Sequence, residues 1–271
     1  MAVQTGFAEV NGAKLYYEVA GEGHPIVFTH AGIADSRMWD DQFPVFAKNY
    51  LVIRWDMRGF GKSEPVEGDF TFYDDLYGLL KFLKVDRTYL VGCSMGGGAS
   101  MNLTVLHPEM VDALVMVGSA PGGLWLDIIE SPLYQDLEEA NKKADLEQVL
   151  ELEARIFFDG EGRTPQDVNQ AARAKLMEMN RQAHRHAQRN LGQHKPPMKP
   201  SANERLNELK LPILVVYGDR DEDYIVKAAQ YMSDHVAGLR KVLMPNTAHL
   251  PNMERPDEFN QIVLDFLSSV K

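Results

Sequence analysis

Gly92-Cys93-Ser94-Met95-Gly96 spells G-x-S-x-G, with a further glycine at Gly97. That spacing suits a hydroxyl carried on a sharp turn between a strand and a helix, where small neighbours let the two elements pass closely. Glycine at the start of a helix costs about 0.5–1 kcal/mol relative to alanine, so a cluster of three needs a compensating reason. An exposed nucleophile supplies one. A serine hydroxyl attacks an acyl carbon only with a base about 2.6–3.2 Å away, itself oriented by a carboxylate.

Of the eight histidines, His249 lies in Leu-Met-Pro-Asn-Thr-Ala-His-Leu-Pro, in a loop past the apolar run Lys241 to Met244 and flanked by Pro245 and Pro251. A strand-end loop of this kind can hold a base over the turn. His107 and His235 sit at expected helix ends, and His184, His186 and His194 lie in a polar segment. His184 and His186, two apart, fall on different helix faces, which argues against a metal pair. The carboxylate is expected in Tyr217-Gly-Asp-Arg-Asp-Glu-Asp223, at another strand end. Asp219 suits a turn and Asp223 suits the cap of a helix from about Ile225. Asp221 lies between them, and pattern alone does not choose. The developing oxyanion needs backbone N–H donors. Met95, directly after the serine, offers one, and Gly32, in the loop after Pro25–His30, is the expected second, with His30 as a loop-shaping residue.

These residues need a scaffold. Phe7–Val10 and Ala13–Ala20 read as a hairpin turning at Asn11-Gly12. Pro25–His30, Tyr50–Asp56, Thr88–Cys93, Asp112–Gly118, Pro212–Gly218 and Lys241–Met244 are continuous apolar runs, as in strands covered on both faces. Helical spacing separates them at Ser36–Lys48, Phe70–Leu83, Gly96–His107, Ile225–His235 and Pro256–Val270. The alternation predicts an α/β fold with a mostly parallel central sheet and helices on both faces. Residues 122–203 break the rhythm with charged, alanine-rich helical pattern and no strand-like run, ending in Pro196, Pro197 and Pro200. They are expected to form a helical cap inserted after the sixth strand, over the carboxyl edge of a core made of residues 1–121 and 204–271.

Composition narrows the partners. Lys plus Arg total 28 against 39 acidic residues, a net charge of −11, which repels nucleic acid and anionic lipid. Cys93 is the lone cysteine, the start of the chain lacks the pattern of a secretory signal, and no apolar run approaches the roughly 20 residues of a membrane span. The expectation is a cytoplasmic protein with no membrane or nucleic-acid partner.

Together with His30-Ala-Gly32, Asp56-Met-Arg-Gly-Phe-Gly-Lys-Ser63, Tyr217-Gly-Asp-Arg-Asp221 and Ala248-His-Leu-Pro-Asn-Met-Glu-Arg-Pro-Asp-Glu-Phe259, the turn resembles the α/β-hydrolase family of capped serine hydrolases over nearly the whole chain. The resemblance implies Ser94 as nucleophile, Asp221 as acid, His249 as base, and Gly32 and Met95 as oxyanion donors. The family often has H-G-x where this chain has His30-Ala31-Gly32, which makes Ile33 the alternative second donor. Relatives that are dehalogenases or epoxide hydrolases carry aspartate at the turn, so Ser94 argues against both. In the Asp56–Ser63 stretch, Gly59 and Gly61 suit a tight turn and Arg58 a carboxylate partner, a structural task.

The first functional reading is a carboxylesterase acting on small-molecule esters or lactones, with neither metal nor organic cofactor. A second is a 3-oxoadipate enol-lactonase-like or carbon–carbon bond hydrolase, whose anionic substrates would favour cations such as Arg155, Arg163, Arg173, Arg181, Arg185 and Arg189. A third is a non-catalytic ligand-binding protein on the same scaffold. Trp125, Ile128, Ile129, Phe157 and Phe158 are the expected substrate contacts from the cap, with packing of cap on core the competing reading.

Overall fold

A computed structural model of the chain describes residues 2–270. Its strands are β1 (Val3–Val10), β2 (Ala13–Ala20), β3 (Pro25–Thr29), β4 (Leu51–Trp55), β5 (Asp69–Phe70), β6 (Thr88–Cys93), β7 (Val111–Val117), β8 (Gln193–His194), β9 (Ile213–Gly218) and β10 (Arg240–Met244). Its α-helices are α1 (Phe43–Phe46), α2 (Phe72–Phe82), α3 (Met95–Leu106), α4 (Leu133–Lys142), α5 (Leu146–Ala154), α6 (Gln170–Ala187), α7 (Asp223–His235), α8 (Pro251–Glu254) and α9 (Pro256–Ser268).

The hairpin turns where expected, because Asn11 and Gly12 adopt φ of 49° and 77°, the positive values a two-residue connection requires. Beyond β2, which pairs antiparallel with β4, every neighbouring pair runs parallel in the order β1-β2-β4-β3-β6-β7-β9-β10. Successive side chains feed two cores. Ile26 and Phe28 pack with Trp39, Phe46 and Phe259 on one face, while Val27, Leu90 and Val215 pack with Leu76, Leu79 and Met101 on the other. Both faces are dry, which is why the strands read as continuous apolar runs rather than alternating ones.

Two expectations are corrected. Ser36–Lys48 is not one helix: a 3-10 turn at Ser36–Trp39, capped by the Asp35 carboxylate, is followed by the short α1. Pro44 sits in the first turn of α1, the one place in a helix where its missing N–H costs nothing. The segment 122–203 holds α4, α5, a π-helical turn at Arg155–Asp159 and α6, but it also holds β8, which pairs with β5. The His194 ring packs 4.4 Å from Phe70 and 4.6 Å from Phe72 between centroids, and a two-residue bridge has no periodicity to read. Leu137, Val149, Leu152 and Ile156 give the segment a small core of its own. Its ties run to loops after the carboxyl ends of β3, β4 and β10: Glu178 to Arg37 at 2.6 Å, Lys175 to Asp40 at 2.6 Å, Gln182 to the Gly61 carbonyl, and Phe157 to the backbone of His249.

Among the described residues, no helix is long and apolar enough to cross a membrane. None of their His, Cys, Asp and Glu side chains cluster in threes that could hold a metal ion.

Candidate active site

β6 runs straight into α3, and Ser94 occupies the joint at φ 51° and ψ −117°, a conformation that costs a non-glycine residue of order 1–3 kcal/mol. Its neighbours show why they are glycines. A Cβ on Gly96 would lie 2.4 Å from the His30 carbonyl oxygen, one on Gly92 2.4 Å from that of Gly96, and one on Gly97 2.4 Å from Ser119 Oγ. Helix propensity favours alanine over glycine at Gly96 by about 1 kcal/mol, yet Gly96→Ala is expected to destabilise by about 1–3 kcal/mol because the backbone cannot recede. Urea unfolding checks the sign.

The joint is held by Ser94 N–H donating to Val117 O at 2.9 Å and by Ser119 Oγ donating to Ser94 O at 2.8 Å. Ser94 Oγ itself makes no hydrogen bond with the described residues, and the residue is half-buried. His249 is buried at the end of the loop after β10, and its Nδ1 donates to Asp221 Oδ1 at 2.9 Å and Oδ2 at 3.1 Å. Since a carboxylate only accepts, Nδ1 carries the proton, leaving Nε2, which has no partner among the described residues, as the basic nitrogen. The serine's turn and this pair meet at β7's end. Cys93 Sγ is 3.7 Å from the His249 carbonyl oxygen, and the position of a Cβ on Gly118, the residue after β7, is 3.2 Å from His249 Nδ1. Cys93 is fully buried.

Of the three candidate acids, only Asp221 reaches the imidazole. Asp219 accepts from the Asn246 N–H at 2.6 Å and so shapes the loop ahead of the histidine. Asp223 opens α7 behind the capping residue Glu222 and accepts from Ile129 N–H at 2.9 Å. Burial disfavours a charged His249, but the charge and hydrogen bond of Asp221, with the charge of Glu222, outweigh it and leave the imidazole above the ordinary histidine value of 6.5. If neutral His249 is the base, the acid limb of kcat/KM falls at a pH above that value, since the inactive imidazolium persists upward. Glu222→Gln removes one of the raising charges, so the limb is expected to move down; a pH–rate profile of both forms checks the direction.

The expected oxyanion donors Gly32 and Met95 adjoin: a Cβ on Gly32 would lie 2.7 Å from Met95 Cε. The backbone N–H groups of Gly32, Ile33 and Met95 have no hydrogen-bond partner among the described residues, so the geometry keeps both Gly32 and Ile33 open as the second donor. His30 is excluded as a base. Its Nδ1 donates to Ala31 O at 2.8 Å and its Nε2 accepts from Met57 N–H at 2.9 Å, which commits both nitrogens in a fully buried ring. Asp56 pins the same loop by accepting from Ser36 N–H at 2.8 Å and Lys62 N–H at 2.7 Å. Arg58 pairs with Asp75 at 2.8 Å, both side chains buried, and so bonds the turn to α2.

The five expected cap contacts separate. Phe157 lies against His249 with centroids 5.3 Å apart. Phe158, the next residue, is wholly buried with Leu176 and Met179 and packs the core instead. Trp125 is 84 % exposed and touches neither cavity described here. Ile129, though 81 % exposed, lines a cavity of about 460 Å³ with Arg155, Arg163, Arg220, Asp221 and Glu222, while Ile128 is half-buried and outside it. A second cavity of about 650 Å³ begins at Met95. Of the six arginines expected from this segment, Arg163, Arg173, Arg181 and Arg189 pair with carboxylates, which leaves Arg155 and Arg185, and of these two only Arg155 lines the smaller cavity.

Pattern reading missed a clamp on the histidine loop. Arg163 Nη2 meets Glu254 Oε2 at 2.7 Å and Nη1 donates to Asn246 O at 2.8 Å, while Glu254 Oε1 accepts from Ala248 N–H at 2.6 Å. Burial lifts the Glu254 carboxyl to about 7 against the pull of the Ala248 N–H and Arg163. Its only sequence signal was a carboxylate five residues after His249.

A mostly parallel sheet, a serine at a strand-to-helix turn and a His–Asp pair at two further strand ends define an α/β hydrolase. A family model described as the alpha/beta hydrolase fold matches residues 24–256, and the chain belongs to that family. It is 28 % identical over 270 residues to the 2-hydroxy-6-oxo-6-(2'-aminophenyl)hexa-2,4-dienoic acid hydrolase of Metapseudomonas resinovorans, covering 97 % of this chain and 90 % of that protein. It is 25 % identical over 248 residues to 3-oxoadipate enol-lactonase 1 of Acinetobacter baylyi, covering 91 % and 89 %. The crystal structure of the enol-lactonase from Burkholderia xenovorans LB400 superposes with a TM-score of 0.79 at 22 % identity, over 97 % of this chain and all of that one. The protein is a hydrolase.

Proposed function

We propose that the protein is a carboxylic ester hydrolase in which Ser94 is the nucleophile, His249 the base and Asp221 the acid. The observation that carries it is the buried Asp221–His249 hydrogen bond, with its free Nε2, beside a serine strained onto a turn whose next backbone N–H is unpartnered. Ser94 Oγ attacks the acyl carbon and gives its proton to His249 Nε2. The oxyanion is held by the N–H of Met95 and of Gly32 or Ile33. The alkoxide leaves with the proton from Nε2, and water, deprotonated by the same nitrogen, attacks the acyl-serine and restores it. Asp221 keeps the imidazole in the Nδ1–H form and offsets the charge it gains. Residues 122–203 act as the cap over this centre, and residues 1–121 and 204–271 as the core.

The relatives favour a second reading. One is named for an enol-lactone and another for a dienoic acid, and an enol-lactone is itself a cyclic ester that the same acyl-serine route opens. Among the arginines of the smaller cavity, Arg163 pairs with Glu254 at 2.7 Å and Arg220 with Asp219 at 3.8 Å, which leaves Arg155, so a strongly anionic substrate finds few free cations. Turnover of short p-nitrophenyl esters beside an enol-lactone, each against a Ser94→Ala blank, separates the readings. Serine-dependent ester turnover is the expected result; lactone opening with negligible ester turnover would replace the first reading with the second.

A further inference from the structure

We propose that the cavity beside Met95 receives the bulk of the substrate and is shaped for a neutral, ring-sized apolar group carrying a hydroxyl; this deepens the ester-hydrolase reading and rests on Ser94 being the nucleophile. One face of α3 forms its floor. Met95, Gly98, Ala99 and Asn102 recur at helical spacing and all line it, together with Phe72, Tyr73 and Pro196 to Met198. Gly98 opens the floor further, since a Cβ there would meet no atom within 4 Å. The lining is predominantly apolar, and at about 650 Å³ it has room for a ring with a short chain.

Charge on the walls is accounted for. Lys195 Nζ lies 3.4 Å from Asp74 Oδ2. His194, held down by burial despite Asp75, stays neutral against Phe70 and Phe72. One polar atom is left over, Asn102 Oδ1, which is buried without a partner. Asn102 itself is only half-buried, so its carboxamide can turn toward a ligand that supplies the missing bond. A hydroxyl both donates and accepts, so it satisfies the amide in either orientation. The link to the chemistry is Met95: its side chain lines the cavity and abuts Gly32, while its backbone N–H is one of the proposed oxyanion donors. A ligand resting on Met95 is one residue from Ser94. The smaller cavity is lined instead by Asp221 with Arg155, Arg220, Glu130 and Glu161.

The test compares methyl acetate with two ester series, one carrying a phenyl or 4-hydroxyphenyl group on the acyl side and the other on the alcohol side. Gly98→Leu extends a side chain from a position whose Cβ meets no atom within 4 Å, with a gain in helix propensity. It is expected to lower kcat/KM for the ring-bearing esters of at least one series by roughly 100-fold more than for methyl acetate. Asn102→Leu is expected to erase only the advantage of the hydroxylated ester over its deoxy counterpart, roughly tenfold. Equal losses on methyl acetate and ring-bearing esters, or no loss on either, would overturn the proposal. Wild-type protein that neither turns over methyl acetate nor takes up a fluorophosphonate would instead overturn the nucleophile assignment beneath it.

Discussion

Ser94→Ala is expected to lower kcat/KM for an activated ester by roughly 10⁵-fold or more, leaving only the residual rate that oxyanion donors and binding supply. The fold should be indifferent. Ser94 Oγ makes no hydrogen bond with the described residues, and the bonds that hold the turn are made by its backbone N–H and carbonyl. Removing the hydroxyl therefore removes the proposed nucleophile and little else. Kinetics against urea unfolding of the same samples checks this: activity lost with the unfolding midpoint unchanged is the expected pair of results, and retained turnover would place the nucleophile elsewhere.

His249→Ala should cost about as much, for a different reason. The ring is buried, its Nδ1 is committed to Asp221, its Nε2 is free, and the residue reaches the turn through Cys93 and Gly118. Without it the serine keeps its proton. Asp221 would also be left buried with the Glu222 N–H, 2.8 Å away, as its remaining donor, so a stability loss of about 1–3 kcal/mol accompanies the kinetic one. The two single losses should not add. Groups that act as a unit fail together, so Ser94→Ala with His249→Ala is expected to be no slower than either alone. A double variant slower by the product of the two factors would mean that the residues act independently.

What could be read from the chain divides along physical lines. The hairpin was legible because Asn11-Gly12 has few other uses, and the parallel strands because both of their faces are covered. Ser94 was legible because glycines at Gly92, Gly96 and Gly97 serve a backbone approach that only small residues permit. Asp221 was not. Asp219, Asp221 and Asp223 share one turn, and only the third dimension shows which carboxylate meets an imidazole 28 positions away. Phe157 and Phe158 are chemically identical neighbours in a π-helical turn, yet one faces His249 and the other the core. The Arg163–Glu254 clamp joins positions far apart in the chain with no shared pattern. Long regular elements announce themselves through periodicity; pairings between loops do not.

The central claim is that Ser94 carries the acyl group midway through the reaction. The direct measurement is intact-mass spectrometry of the protein quenched within its first turnovers of a p-nitrophenyl ester, followed by peptide mapping of any adduct. An added acyl mass on the peptide holding Ser94, absent in Ser94→Ala, is the predicted result. Turnover with the acyl group on another residue, or undiminished turnover by Ser94→Ala, would contradict it.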